Sequence, residues 1–348
     1  MLKFGIVGAG MIAQSGYDGL TASGKAEVIA VADTSPVRLA AFAARNKVGR
    51  TFPKAEDLIG DRGLDGLSIA VPNAFHAPYA VAALETGKHV ILEKPFALNH
   101  AEASKVIDAA KKAGKLFMLG MNQRFEEGAQ RARVLCQRGY FGEIYRIHAF
   151  WRRRSGIPRL GTWFGHRALA GGGSFLDIGV HMLDLALWAA GDFDAETVTG
   201  STYTRFGNRG LGEGCWGISD DEGLEFDVDD CALALIRMRS GATVQVEISW
   251  AAHQEEADSH NVELFGTEAG ALLYPGEVFR YDTDLCAQVN VGELKVPLLY
   301  PHKNRFVNFV QAILGEEKPC VTHDEALKVQ RIIDAVYESA AARREVRL

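Results

Sequence analysis

The hexapeptide Gly8-Ala9-Gly10-Met11-Ile12-Ala13 follows the apolar run Phe4-Gly5-Ile6-Val7 directly and opens a stretch of helical character through Leu20. A glycine-rich turn between a buried strand and a helix leaves few folds open. The first glycine permits the tight turn, the second lets backbone amides approach a pyrophosphate, and the small Ala13 lets helix and strand pack closely. Unpaired N–H groups at the helix start then face the phosphates. A second apolar run, Val28-Ile29-Ala30-Val31-Ala32, ends at Asp33, where this architecture sets an acid on the adenosine ribose hydroxyls. That carboxylate would repel a 2′-phosphate, so the expected cofactor is NAD, with NADP as the alternative. A competing reading makes Asp33 the cap of a helix starting near Pro36, which Thr34 or Ser35 would do equally well.

Up to about residue 121, short apolar runs alternate with amphipathic segments, the pattern of a doubly wound parallel sheet. Strands are expected at Lys3 to Val7, Glu27 to Ala32, Gly66 to Ala70, His89 to Leu92 and Leu116 to Leu119. Helices fall between them, near Met11 to Leu20, Val37 to Lys47, His76 to Thr86 and His100 to Ala113. Ligand chemistry gathers at the carboxyl ends of such strands, which places Gly8, Asp33, Pro72-Asn73 and Glu93-Lys94-Pro95 on one rim. From about Arg124 the texture changes. A helix to about Arg138, a strand from Glu143 to Trp151 and a Gly-rich loop lead into the Asp177 region. Successive β-branched runs without intervening helices then imply an antiparallel sheet, closed by helices near Lys303 to Leu314 and Asp324 to Ala341. The expected fold is α/β: a Rossmann-type parallel sheet in residues 1–121, then an α+β domain with a large, mostly antiparallel open sheet in 122–348.

The stretch Gly171-Gly172-Gly173-Ser174-Phe175-Leu176-Asp177-Ile178-Gly179-Val180-His181-Met182-Leu183-Asp184, read as an α-helix, stacks Asp177, His181 and Asp184 on one face. Imidazole titrates near neutrality, and an adjacent carboxylate can fix its tautomer, so the stripe suits proton abstraction. A satisfied core histidine is the competing reading of His181. Asp184 fits capping, support or substrate binding equally. Without a further His or Cys cluster at ligand spacing, no metal is expected.

Lysine and arginine number 38 against 44 acids, a net charge of −6, which speaks against a nucleic-acid surface. The five cysteines, at 136, 215, 231, 286 and 320, form no CxxC pair, as expected of free thiols in a reducing compartment. The first strand begins near Lys3, and no apolar run approaches the length of a membrane span, so a cytoplasmic protein without a signal peptide or membrane partner is expected.

Together, Gly8 to Ala13, Val71-Pro72-Asn73-Ala74-Phe75-His76, Gly87-Lys88-His89-Val90-Ile91-Leu92-Glu93-Lys94-Pro95, Asn122-Gln123-Arg124-Phe125 and Gly171 to Asp184 give the chain its resemblance to the glucose-fructose oxidoreductase, inositol dehydrogenase and rhizopine-catabolism (Gfo/Idh/MocA) family. The resemblance spans nearly the whole chain. It implies a nicotinamide between the two domains, Lys94 as the group that holds and polarises the reacting oxygen, His181 as the proton-transferring base and Asp177 as the carboxylate beside it. It further implies cofactor contacts from Gly8, Gly10, Met11, Ile12, Asp33, Asn73, His76, Glu93 and Lys94, and Arg124 at the border of the substrate; the competing reading is that Asn122 and Arg124 only position the domain junction. Asn73 also fits a plain helix cap.

Strand alternation sends Arg153 to the opposite face from Arg152 and Arg154. One reading is a solvated charged edge. The other sets Arg152 and Arg154 over the cleft with Trp163 and His166, as donors and an aromatic platform for a polyol. The reaction expected is hydride transfer between NAD and a secondary hydroxyl or carbonyl of a sugar, inositol or anhydrosugar. The alternatives are a redox-neutral glycosidase with tightly held NAD and a non-catalytic sensor. The resemblance and the exposed sheet imply a homodimer or homotetramer.

Overall fold

The computed structural model describes residues 1–214, 216–217 and 222–348; Cys215 lies outside the described residues. Six parallel strands form the first sheet: β1 (Leu2–Val7), β2 (Ala26–Ala32), β3 (Arg50–Phe52), β4 (Gly66–Ile69), β5 (His89–Leu92) and β6 (Phe117–Leu119). Their order is β3-β2-β1-β4-β5-β6, so the direction of winding reverses beside β1. Crossovers run through α1 (Ala13–Ala22), α2 (Pro36–Asn46), α3 (Ala55–Ile59), α4 (His76–Glu85) and α5 (His100–Ala113). Near-continuous burial of β1 and β4 reflects a sheet covered on both faces. Strand β3 and helix α3 had no counterpart in the sequence reading, since three largely exposed residues and a five-residue helix leave no periodic signal.

The second sheet has nine strands: β7 (Ile144–Arg153), β8 (Ala195–Tyr203), β9 (Cys231–Met238), β10 (Thr243–Ser249), β11 (Asp258–Gly266), β12 (Gly270–Leu272), β13 (Glu277–Asp282), β14 (Ala287–Glu293) and β15 (Val346–Arg347). Neighbours pair antiparallel except β7 with β10, which run parallel. The hairpin β13–β14 was unforeseen. Its alternating face is mostly exposed, so no apolar period marks it.

One face of this sheet is covered by α8 (Val180–Ala190) and α10 (His323–Ala342), while α6 (Glu127–Gln137) packs on α8 and the short α7 (Arg167–Ala170) stands at the rim. Strict burial alternation along β9 leaves Leu233 and Leu235 exposed on the other face. The remaining helix, α9 (Arg305–Ile313), returns to the first sheet, where Phe306 lies against Gly16 and Gly19 of α1. A Cβ on Gly19 would stand 2.4 Å from that ring. Among the described residues, no helix is long and apolar enough to cross a membrane.

Arg124 does not reach a substrate position. Its side chain is fully buried beneath α8, donating from Nε and Nη2 to Asp184 at 2.8 and 2.5 Å, and from Nη1 to Glu325 and to the Cys320 carbonyl, each at 2.8 Å. Every guanidinium nitrogen is engaged, and Trp188 and Phe193 flank the group. Glu325 also completes the capping box that starts α10 with Thr322. This ion cluster therefore fastens the Asn122–Phe125 turn, α8 and α10 together, and it occupies Asp184 as well. Removing one partner strands a buried charge, so Asp184→Ala is expected to lower stability by about 3–5 kcal/mol in urea unfolding; a loss under about 1 kcal/mol would refute this account of the cluster.

Candidate active site

The carboxyl ends of the parallel strands form one wall of a cleft of about 520 Å³. Gly8 turns there with φ 95°, and a Cβ would lie 2.1 Å from the Ala70 carbonyl oxygen, so no other residue passes this close to the end of β4. Gly10, by contrast, has nothing within 4 Å of its Cβ position. The amides of Gly10, Met11 and Ile12 make no hydrogen bond among the described residues, and the Met11 and Ile12 side chains stand exposed in the cleft. Open space, free amides and uncovered apolar side chains fit a dinucleotide pyrophosphate.

Asp33 stands on the same wall. Its Oδ2 accepts from the Ala9 amide at 2.7 Å, and Oδ1 from the Ser35 amide and Arg38 Nη2, each at 2.8 Å. The helix cap proper is Ser35, so Asp33 braces the glycine turn instead. The Arg38 contact was not foreseen. Asn73 donates to the Ala170 carbonyl at 2.8 Å, tying the first sheet's rim to α7. His76 is buried with Nδ1 2.7 Å from the Pro95 carbonyl and Nε2 2.9 Å from that of Val71. Burial pulls this imidazole down to about 4 although both carbonyls favour its charged form. It clasps the two turns that carry Asn73 and Lys94. Glu93 is ion-paired with Arg305 at the start of α9.

At the reacting end, Lys94 Nζ donates to Asp177 Oδ1 at 2.7 Å and to the Asp177 carbonyl at 3.0 Å. The other carboxylate oxygen accepts from Trp250 Nε1 at 2.9 Å. Lys94, Asp177, Trp250 and Trp163 all line the cleft that Gly8 and Asp33 line. The segment Phe175–Gly179 is a π-turn rather than the start of an α-helix, which rotates Asp177 out of register with His181. The expected carboxylate–imidazole pair is thus absent: Asp177 serves Lys94 and Trp250, and Asp184 serves Arg124.

His181 is buried at the start of α8, its ring 6.1 Å from that of Trp151. Nδ1 has no hydrogen-bond partner among the described residues. Burial, reinforced by the charges of Lys94, Arg305 and Arg153, holds the imidazole well below its usual range and therefore neutral.

The arginine triplet obeys the alternation expected of it with the faces reversed. Arg153 shares the Ile147, Ala149 and Trp151 face, stacks 4.6 Å over Trp151 and pairs with Asp258 at 3.1 Å. Arg152 points to the outer face, 4.6 Å over Phe150, and Arg154 is exposed, donating to the Gln254 carbonyl. Neither Arg152 nor Arg154 lines the cleft. Trp163 does, stacked 3.8 Å on Phe164, which meets Trp216 edge-on at 5.5 Å. Phe164, Trp216, Trp250 and Arg305 escaped the sequence reading. Trp250 follows a strand parallel to β7, and the rule that chemistry sits at carboxyl ends would have flagged it; Arg305 carries no local signal. Among the described residues, no group of three or more His, Cys, Asp and Glu is placed to hold a metal.

Residues 2–121 match the model of an oxidoreductase family with an NAD-binding Rossmann fold, and residues 129–272 match the GFO/IDH/MocA C-terminal domain, together more than half of the chain. D-glucoside 3-dehydrogenase of Escherichia coli (strain K12) is 28% identical over 354 residues, covering 100% of this chain and 97% of that protein. Levoglucosan dehydrogenase, solved in complex with NADH and levoglucosan, superposes with a TM-score of 0.83 at 24% identity and covers 99% of both chains. GenD2 from gentamicin A biosynthesis, solved in complex with NAD, gives a TM-score of 0.79 at 26% identity, covering 100% of this chain and 96% of that one. With the nucleotide wall, the Lys94–Asp177 pair and these matches in place, the chain belongs to the Gfo/Idh/MocA family of NAD-binding oxidoreductases.

Proposed function

We propose that the protein transfers a hydride between NAD and a secondary hydroxyl or carbonyl of a sugar, inositol or anhydrosugar. Residues 1–121 hold the nucleotide, and 122–348 supply the substrate walls, with α9 returning to brace the first sheet. The observation that carries this reading is an ammonium, Lys94, held by Asp177 in the nucleotide cleft, with the imidazole of His181 buried behind the lining and near enough to feel the lysine charge. Gly8, Gly10, Met11 and Ile12 take the pyrophosphate, Asp33 the adenosine ribose, and Asn73, His76 and Glu93 shape the nicotinamide side. Bound there, NAD supplies the hydride acceptor. The Asp33 carboxylate suits the free ribose hydroxyls of NAD, although its pairing with Arg38 reduces its repulsion of a 2′-phosphate.

In the oxidation direction, Lys94 donates a hydrogen bond to the substrate hydroxyl oxygen and offsets the negative charge that grows as the proton leaves. The neutral His181 accepts that proton, and in reduction the imidazolium returns it. Asp177, held by Trp250, orients the ammonium. Trp163, with Phe164 and Trp216, offers aromatic faces to the C–H side of a sugar ring.

The names of relatives support this substrate class: a D-glucoside dehydrogenase, a 1,5-anhydro-D-fructose reductase and a myo-inositol dehydrogenase are all similar to this chain. The scattered cysteines suit a reducing, cytoplasmic setting. A second copy of the chain is the partner proposed for the outer face of the nine-stranded sheet, where Leu233 and Leu235 lie exposed.

Lys94→Ala is expected to lower kcat/KM for the best sugar of a polyol and anhydrosugar panel by about 100-fold to 1,000-fold. NADH affinity, read by its fluorescence, should stay within about threefold. A variant that kept full turnover would defeat the assignment. Because the imidazole of His181 is lowered, it remains a base as pH falls through 6.5, so kcat/KM for oxidation should stay level from about pH 8 to about pH 6. An acid limb centred near 6.5 would show the base titrating as an ordinary imidazole and overturn the lowering attributed to burial and the nearby cations. Light scattering should report an oligomer for the native chain and a monomer for Leu235→Glu; a native monomer would remove the proposed interface.

A further inference from the structure

Asp229 is almost fully buried, at 2% exposure, and takes no part in the chemistry proposed for Lys94 and His181. It stands just ahead of β9, yet its carboxylate is occupied by the turn that precedes Asp177. Oδ1 accepts from the Gly173 amide at 2.8 Å and from the Tyr337 hydroxyl at 2.9 Å; Oδ2 accepts from Ser174 Oγ at 2.7 Å and the Phe175 amide at 2.9 Å. The Asp229 carbonyl also accepts from the Ser174 amide at 2.8 Å. The fit leaves no slack. A Cβ on Gly173 would stand 1.8 Å from the Asp229 carbonyl oxygen, and one on Gly172 would stand 2.3 Å from the Tyr337 oxygen. Close approach to these two residues is the physical reason for glycine at both positions.

The next residue completes the arrangement. The Asp230 carbonyl accepts from the Trp250 amide at 2.8 Å, and the Trp250 indole donates to Asp177. Asp177 is therefore held from two directions, by the π-turn that carries it and by the indole, and both trace back to the dipeptide Asp229-Asp230.

We propose that Asp229 is a positioning residue: its carboxylate sets the Gly172–Phe175 turn so that Asp177 meets Lys94, without touching substrate or cofactor. This rests on the reading of Lys94 and Asp177 as catalytic groups. Four donors converge on one carboxylate, which saturates its acceptor sites. An amide in its place would turn an N–H toward one of those donors and displace the turn by a fraction of an ångström.

The test compares Asp229→Asn and Tyr337→Phe with the native enzyme carrying NAD. Asp229→Asn is expected to lower kcat by about 100-fold, with KM for the sugar and the NADH Kd within about threefold, because a small misplacement acts on the chemical step. The indole N–H resonance of Trp250, assigned through its loss in Trp250→Phe, should move with it. Tyr337→Phe removes one donor, with an expected drop in kcat of about threefold to tenfold and a smaller shift of the indole signal. Native kcat with an unmoved indole resonance in Asp229→Asn overturns the proposal. So does a loss of kcat that merely follows falling NADH affinity and melting temperature, since that marks a structural role. If Asp229→Asn fails to fold, Tyr337→Phe decides by the same criteria. A native enzyme that turns over no sugar defeats the proposed function instead, and the indole resonance then decides whether Asp229 holds Asp177 in place.

Discussion

The ion pair between Lys94 and Asp177 makes one site out of two sheets. Lys94 leaves the carboxyl end of β5, and Asp177 rides on the π-turn that leads into α8 beneath the second sheet. Each is only partly exposed, at 21% and 15% of its side chain, so an unpaired charge there would carry part of the desolvation penalty that a hydrogen-bonded partner offsets. The neighbouring Glu93 repeats the device with Arg305 from α9. Two consecutive residues at the end of one strand are thus tied to two distant segments of the second half, Asn73 adds a further tie to α7 from the adjacent turn, and His76 holds that turn to the one carrying Lys94.

These ties settle how the polar groups divide their work. An unbroken α-helix would have aimed the Asp177 carboxylate at His181, and the imidazole would then have favoured its charged form. The π-turn instead gives the carboxylate to the ammonium and to Trp250, leaving the imidazole to burial and to three nearby cations. Each of those cations has its own carboxylate: Lys94 with Asp177, Arg305 with Glu93 and Arg153 with Asp258. The result is an imidazole kept neutral and an ammonium fixed by its carboxylate, the two groups that the proposed alcohol oxidation would use.

Much of this could be read along the chain. Apolar runs of four to seven residues separated by helical periods located five of the six parallel strands, and the glycine turn located their functional rim. The missed elements leave too little pattern to read: β3, β15, α3 and α7 are short, and β13 and β14 bury few residues. Arg124 shows another limit. Its position in a motif turn left both the substrate border and the domain junction open; α8 and α10 close over it and make it the centre of a buried cluster. Alternation separated Arg153 from Arg152 and Arg154, but a period of two is silent about which face α8 will cover.

The sequence by itself located the nucleotide wall, because the Gly8 and Gly10 turn and the Asp33 carboxylate that braces it belong to one βαβ unit, and local periodicity is enough to specify it. It also named Lys94, Asp177 and His181. Only the tertiary structure decided their pairing, the π-turn and the parts played by Trp250, Arg305 and Asp229. Those contacts join residues dozens to hundreds of positions apart. No local pattern encodes them, because they exist only once helices have packed on particular faces and dewatered the charges between them.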